Sequence, residues 1–271
     1  MTHPTDWRCY DSVAETYEQV AVPRFEPMAR DLLTALGPPP GARVLDVGTG
    51  TGLVAGLAAS AVGPKGTVVG VDPSEGMLGI ARACRRILAV AGAAPGLPFP
   101  DARIDAVAAN LVVSHLPDLA GGLADLVRVL RPGGRLGMTA WGPDPTDDDQ
   151  GAEAYAVVAS VREACGLPAE TPLKGAPWEE QLRSRDQLGR SLADAGLHDV
   201  KVDLRSYRTT RGIDEYLASW GWGGLGRYLR WEAGERRWHE FTDRAAAALE
   251  EQVGDPIESV NQAWVATGTA G

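Results

Sequence analysis

The residues best able to do chemistry are gathered in one stretch, "VLDVGTGTG", at positions 44–52. Val44, Leu45 and Val47 are an apolar run that reads as a buried strand. Gly48, Thr49, Gly50 and Gly52 then make a turn in which a ligand can approach the backbone. The spacing G-x-G-x-G discriminates poorly between ligands; Asp46 discriminates better. A dinucleotide would set its pyrophosphate on the helix after this turn. A carboxylate about 5 Å away would oppose it by roughly 3 kcal/mol at an effective dielectric near 20. A ligand with an ammonium group and no phosphate is favoured, and its own carboxylate can use the helix N-terminus. Asp72 ends the next strand, twenty positions after Gly52. A carboxylate there can accept both hydroxyls of a ribose; its other reading is a turn residue before Pro73.

These residues need a frame that holds strand ends side by side, and the chain supplies one. Apolar runs at 43–47, 67–72, 87–91, 104–110 and 135–141 alternate with helical patterns near 52–61, from Ser74 as N-cap, and over 119–130. Such alternation predicts a parallel sheet with helices on both faces and ligands at the carboxyl ends of its strands. Residues 11–36 read as two amphipathic helices interrupted near Pro23. After Trp141 the pattern loosens. A helix at 185–197 and strands at 200–209 and 259–268 continue the core, and the stretches 142–183 and 210–254 look inserted. The expected division is an N-terminal lid (1–40), a core (41–141), an insertion (142–183), a core helix and strand (184–209), a helical cap (210–254) and a last strand (255–271). Five of the eight tryptophans, Trp178, Trp220, Trp222, Trp231 and Trp238, fall in the inserted stretches. Aromatics placed there suit a cap over a ligand, or pack the cap onto the sheet. Residues 7–25 and 210–254 are expected to cover opposite sides of one pocket above Asn110 and His115.

Composition narrows the partners. A net charge of −10 and the lack of any basic run argue against long nucleic acid, and no apolar run is long enough to span a membrane. The start carries no signal-peptide pattern, so a cytoplasmic location is expected. Cys9, Cys84 and Cys165 and the four histidines are scattered, which predicts neither a disulfide framework nor a metal site. Arginine far outnumbers lysine, as suits a GC-rich bacterial gene.

Five stretches, "VLDVGTGTG", "VVGVDPSEGML", "LPFPDARIDAV", "HLPDL" and "LVRVLRPGGRLGMTAW", occur in order. In this the chain resembles the class I S-adenosylmethionine-dependent methyltransferases over about residues 10–141. The resemblance implies an α/β, Rossmann-like, doubly wound seven-stranded sheet whose last strand is antiparallel, with a helical lid and a cap inserted in the second half. It implies S-adenosyl-L-methionine as cofactor. Gly48, Gly50 and Gly52 would meet its methionine moiety, Asp72 its ribose, and Asn110 its methionine end, with Tyr17 closing over it. Asp46, Thr49, Pro73 and Met77 join these as expected contacts. Relatives often carry an Asp that bonds the adenine; here "GAAPGLPF" puts Ala93 in its place, leaving a backbone contact at Ala93 or Ala94 and costing about 1 kcal/mol.

The acceptor is less legible. DNA and protein amide methylases of this fold usually carry N/D-P-P-Y/F after strand four; "NLVVSHLPD" stands there instead. His115 is the expected general base, its alternative role being to pack the loop. Trp141, Trp220 and Trp222 are expected to line the substrate pocket. The favoured reading is O-methylation of a natural-product hydroxyl or phenol. N- or C-methylation, a non-methylating reaction such as cyclisation, and a non-catalytic cofactor-binding module stand beside it. The expected partner is a small-molecule substrate, with homodimer formation left open.

Overall fold

The computed structural model describes residues 7–146, 149–169, 182 and 184–271. Trp178 lies outside them, as do the side chains of Cys9 and Trp222. Two compact units result. One comprises Met1–Arg24, Asp144–Lys174 and Ser206–Asn261, the other Phe25–Pro143, Gly175–Arg205 and Gln262–Gly271.

The second unit is built on a seven-stranded sheet of β1 (Arg43–Val47), β2 (Thr67–Asp72), β3 (Leu88–Ala91), β4 (Ile104–Asn110), β5 (Leu130–Trp141), β6 (Leu197–Arg211) and β7 (Ile257–Ala270). Their order is β3-β2-β1-β4-β5-β7-β6. β2, β1, β4 and β5 pair in parallel, and β7 runs antiparallel to β5. The order in which successive strands are added thus reverses at β1, whose neighbours are β2 and β4. That reversal opens a crevice at the carboxyl ends of these strands.

Alternation along β1 decides which side chain faces which helix layer. Val44 packs with Val54, Ala55 and Ala58 of α2 (Leu53–Val62) and with Leu32 and Leu36 of α1 (Val22–Leu36). Leu45 and Val47 face the other layer. There lie Leu123 and Leu126 of α4 (Leu119–Val129) and Leu188 and Leu192 of α6 (Arg185–Asp194); α3 is Glu75–Ile80 and α5 Asp149–Ala164. Gly137 on β5 keeps the first layer close, because a Cβ there would press on Leu32 Cδ1 at 3.0 Å.

Two expectations change. Pro23 does not break the helix: it sits in the first turn of α1, after a π turn over Tyr17–Ala21. There Val22 N–H bonds Tyr17 O, five residues back, and the wider turn accommodates a proline that has no N–H to give. Residues 1–40 are also not one lid. Ala29, Leu32 and Leu36 belong to the sheet's core, whereas the part before Phe25 joins the helical unit.

That helical unit buries Val158, Leu217 of α7 (Ile213–Trp222), and Phe241 and Leu249 of α8 (Gly224–Gln252). Gly234, at φ +73°, kinks α8. The N-terminal segment touches the 210–254 stretch directly: the Arg227 guanidinium lies 3.9 Å from the Tyr10 ring centroid. The two expected covers are therefore parts of one body. Among the described residues no helix is long and apolar enough to cross a membrane.

Candidate functional site

Everything at the glycine turn follows from β1 ending in Asp46 and Val47. Alternation puts Asp46 on the α2 side with Val44. Its carboxyl is 1% exposed. Oδ2 accepts from Thr49 Oγ1 at 2.7 Å and from Ala55 N at 3.0 Å. Asp46 therefore ties the turn to the start of α2, and its carboxyl is enclosed. Burial pushes its pKa up to about 7; the bonds from Thr49 and Ala55 pull it down, and the charge on Asp72 raises it. Near neutral pH Asp46 thus carries only part of a charge, and the repulsion argued from the sequence is correspondingly weaker.

This has a consequence for stability. The folded state holds the Asp46 proton more tightly than the unfolded chain, whose carboxyl titrates near 3.8. The resulting stabilisation is complete below that pH and is lost as pH rises to about 7, up to about 4 kcal/mol in all. Asp105, held well below the ordinary carboxylate range by Arg43, changes only at lower pH and does not mask the slope. Asp46→Asn keeps one oxygen for both existing bonds and removes the titration. Thermal unfolding between pH 5 and 8 is expected to flatten in this variant; an unchanged slope would refute the assignment.

The turn itself is closed by backbone bonds. Gly48 N and Thr49 N both donate to Val71 O, at 2.8 and 3.0 Å, and Gly52 N donates to Thr49 O. Thr49, expected to meet the ligand, turns its side chain inward to Asp46, where it fills the space beside Gly70. Gly52, at φ +87°, is buried: a Cβ would press on Ala81, Ile87 and Arg85. Its need for glycine is thus met by packing. Gly48 and Gly50 stay half-exposed at φ +67° and +53°. A Cβ at Gly48 would overlap Val112 Cγ2 and lie 2.7 Å from Val112 Cβ. Gly48→Ala is expected to cost about 2–4 kcal/mol, from left-handed strain plus overpacking. Adding Val112→Ala is expected to restore only part of the denaturation midpoint, because the Val112 Cβ remains.

Asp72, at the end of β2, is half-buried. Its Oδ2 accepts from Gly50 N and its Oδ1 from Ser74 N, each at 2.9 Å. Both oxygens are thereby fixed at the rim of the glycine turn. Pro73 is half-buried beside it. Ser74 caps α3 by accepting from Met77 N, and the Met77 side chain is buried.

At the end of β4, Asn110 Oδ1 accepts from Thr139 Oγ1 at 2.7 Å, across the β4–β5 register. Thr139 Oγ1 in turn accepts from Leu111 N at 2.9 Å. These bonds hold Leu111 at φ +55°, a conformation costly for a non-glycine residue. The chain then turns through a 3-10 turn, Val113–His115, on which His115 is exposed. Trp141 ends β5, its ring 6.0 Å from that of Phe25.

The adenine-side loop shows a device the sequence reading missed. Asp125 of α4, 8% exposed, accepts from Gly96 N and Leu97 N at 2.6 and 2.7 Å. Arg128 binds Asp125 and donates to Leu97 O and Phe99 O. The loop that carries exposed Ala93 and buried Ala94 is thus clasped from its far end. A buried Asp three residues before an Arg, on a helix otherwise apolar on that face, was the available signal.

The second unit therefore gathers Asp46, Gly48, Gly50, Asp72 and Asn110 at the ends of β1, β2 and β4. Tyr17 and Trp220 belong to the helical unit. Tyr17 meets Tyr10 edge-on at 6.4 Å, and Trp220 stacks on Tyr155 at 5.6 Å. Trp222 ends α7.

A methyltransferase-domain profile matches residues 45–138. Nocamycin O-methyltransferase of Saccharothrix syringae is 33% identical over 260 residues, 91% of this chain and 89% of that one. A demethylmenaquinone methyltransferase of Beutenbergia cavernae is 42% identical over 186 residues, 68% of this chain and 75% of its own. Among solved structures, phosphoethanolamine N-methyltransferase 2 of Haemonchus contortus, in complex with phosphomonomethylethanolamine and S-adenosylhomocysteine, is similar with a TM-score of 0.58. It is 18% identical and covers 100% of this chain and 61% of its own.

Proposed function

The chain belongs to the class I S-adenosylmethionine-dependent methyltransferases, and we propose that within this family it methylates an oxygen, a hydroxyl or phenol, of a small natural product. The observation that carries this reading is the likeness to nocamycin O-methyltransferase, which runs through nearly the whole of both chains. The O-methyl acceptor in that relative's name is the basis for an oxygen here.

S-adenosylmethionine supplies a methyl group already activated on a sulfonium, which leaves as a neutral thioether. The residues at the strand ends fit it. Asp72 brings a carboxylate whose two oxygens are both fixed by backbone N–H groups, the acceptor type a ribose diol needs. Half-exposed Gly48 and Gly50 leave backbone next to that carboxylate open to the methionine moiety. Asp46, behind the turn and carrying only part of a charge near neutral pH, favours a cation weakly. Asn110 is oriented by Thr139 to meet the methionine end. Ala93 and Ala94 contribute backbone to the adenine.

His115 is the general base in this proposal and takes the proton of the acceptor hydroxyl as the methyl arrives. Trp141, at the end of β5, would lie against the acceptor and help keep water from it. The decisive experiment incubates the purified chain with a cofactor labelled with carbon-13 in its methyl group and an extract of its source. The expected product shows its labelled carbon at the chemical shift of an O-methyl, with S-adenosylhomocysteine formed in step. A shift typical of N- or C-methyl would overturn the oxygen assignment. Absence of any labelled product would overturn the small-molecule reading.

A further inference from the structure

The helical unit contains a cavity of about 340 Å³. Its size lies at the lower end of small-molecule sites, about 300–1,000 Å³. The lining comes from the N-terminal segment, α7 and α8, and includes no residue of the glycine turn or of the ends of β1, β2 and β4. Val13, Leu217 and Trp238 give it an apolar wall, all three buried. Three charged groups stand around that wall: Asp214, Asp243 and Arg230.

The charges do not cancel. Arg230 is committed to Glu235, which binds it bidentately at 2.8 and 2.9 Å. Among the described residues neither Asp214 nor Asp243 forms an ion pair or a side-chain hydrogen bond. The cavity thus combines an apolar, aromatic wall with two uncompensated carboxylates. An indole face attracts a cation, and the carboxylates select the same sign. An anion would meet repulsion, and a neutral apolar molecule would gain nothing from the two carboxylates, which are exposed to solvent.

We propose that this cavity is a second binding site, for an organic monocation: an ammonium group on an apolar body about the size of one aromatic ring. The body lies against Trp238 and Leu217, and the ammonium faces Asp214 and Asp243. Because Val13 forms part of the wall, an occupant joins the N-terminal segment to α7 and α8.

The test is calorimetry on the full chain with benzylammonium as probe, and with benzyl alcohol and benzoate as neutral and anionic counterparts. Benzylammonium is expected to bind with a Kd of about 1 mM, given its few heavy atoms. Benzyl alcohol is expected to bind at least about tenfold more weakly and benzoate not at all. The double substitution Asp214→Asn with Asp243→Asn changes side chains at the protein surface and is expected to weaken benzylammonium about tenfold, leaving S-adenosylhomocysteine binding unchanged. Raising the salt is expected to weaken the probe as well. Equal binding of benzylammonium and benzyl alcohol would overturn the proposal. So would unchanged affinity in the double variant, or displacement of the probe by S-adenosylhomocysteine. None of these readouts depends on which acceptor is methylated.

Discussion

Asp72→Ala is expected to weaken S-adenosylmethionine binding by about 10²- to 10⁴-fold, because two charge-assisted hydrogen bonds to a ribose are worth about 1.5–3 kcal/mol each. The variant also loses the acceptors of Gly50 N and Ser74 N. Ser74 is buried, so its N–H loses this acceptor away from bulk water, and the melting temperature is expected to fall as well. Asp72→Asn separates the two effects. An amide has one acceptor oxygen, so it can serve Gly50 or Ser74 but points a donor at the other. Its stability is expected to lie between those of wild type and Asp72→Ala, with affinity about tenfold below wild type. Calorimetric titration with S-adenosylhomocysteine, alongside thermal unfolding, measures both. If Asp72→Ala lowers the melting temperature and leaves affinity intact, Asp72 is only a brace for the turn.

How far such residues can be read from sequence depends on how local their reasons are. β1 is legible because it is apolar on both faces, and the glycines after it because the turn needs positive φ at Gly48, Gly50 and Gly52. Ser74 is legible as a cap because its partner, Met77 N, is three residues away. Asp46 was misjudged for a reason that is also local: strict alternation groups it with Val44, facing α2, which already implies a bond to the helix rather than to open space. The glycines divide similarly. Sequence marks Gly48 and Gly52 as ligand contacts, yet Val112 on one side and Ala81, Ile87 and Arg85 on the other suffice to demand glycine there. Those neighbours are 29 to 64 residues away, and no pattern in the chain pairs them. The helical unit was least legible of all. Its N-terminal segment meets α8 through Tyr10 and Arg227, and an amphipathic stripe records that a face is covered without recording by what.

His115→Ala is expected to lower the methyl-transfer rate by about 10²- to 10⁴-fold, the usual contribution of a positioned base, with cofactor affinity nearly unchanged. The turn that carries His115 is closed by backbone bonds. His115 N donates to Val112 O at 2.9 Å and Leu116 N to Val113 O at 3.3 Å, while Val113 and Leu116 are buried. The melting temperature is therefore expected to change little, and a fall in rate can be assigned to chemistry. His115→Gln, polar but unable to act as a base at neutral pH, is expected to lose as much rate as alanine. The pH profile gives the independent check. If the imidazole takes the acceptor's proton, the wild-type rate falls at acid pH as the histidine is protonated, and this limb disappears in both variants. A variant that keeps its rate across the pH range would assign His115 to the loop instead. The acceptor would then have to ionise by itself, as a phenol can, with alignment against the methyl group supplying the acceleration.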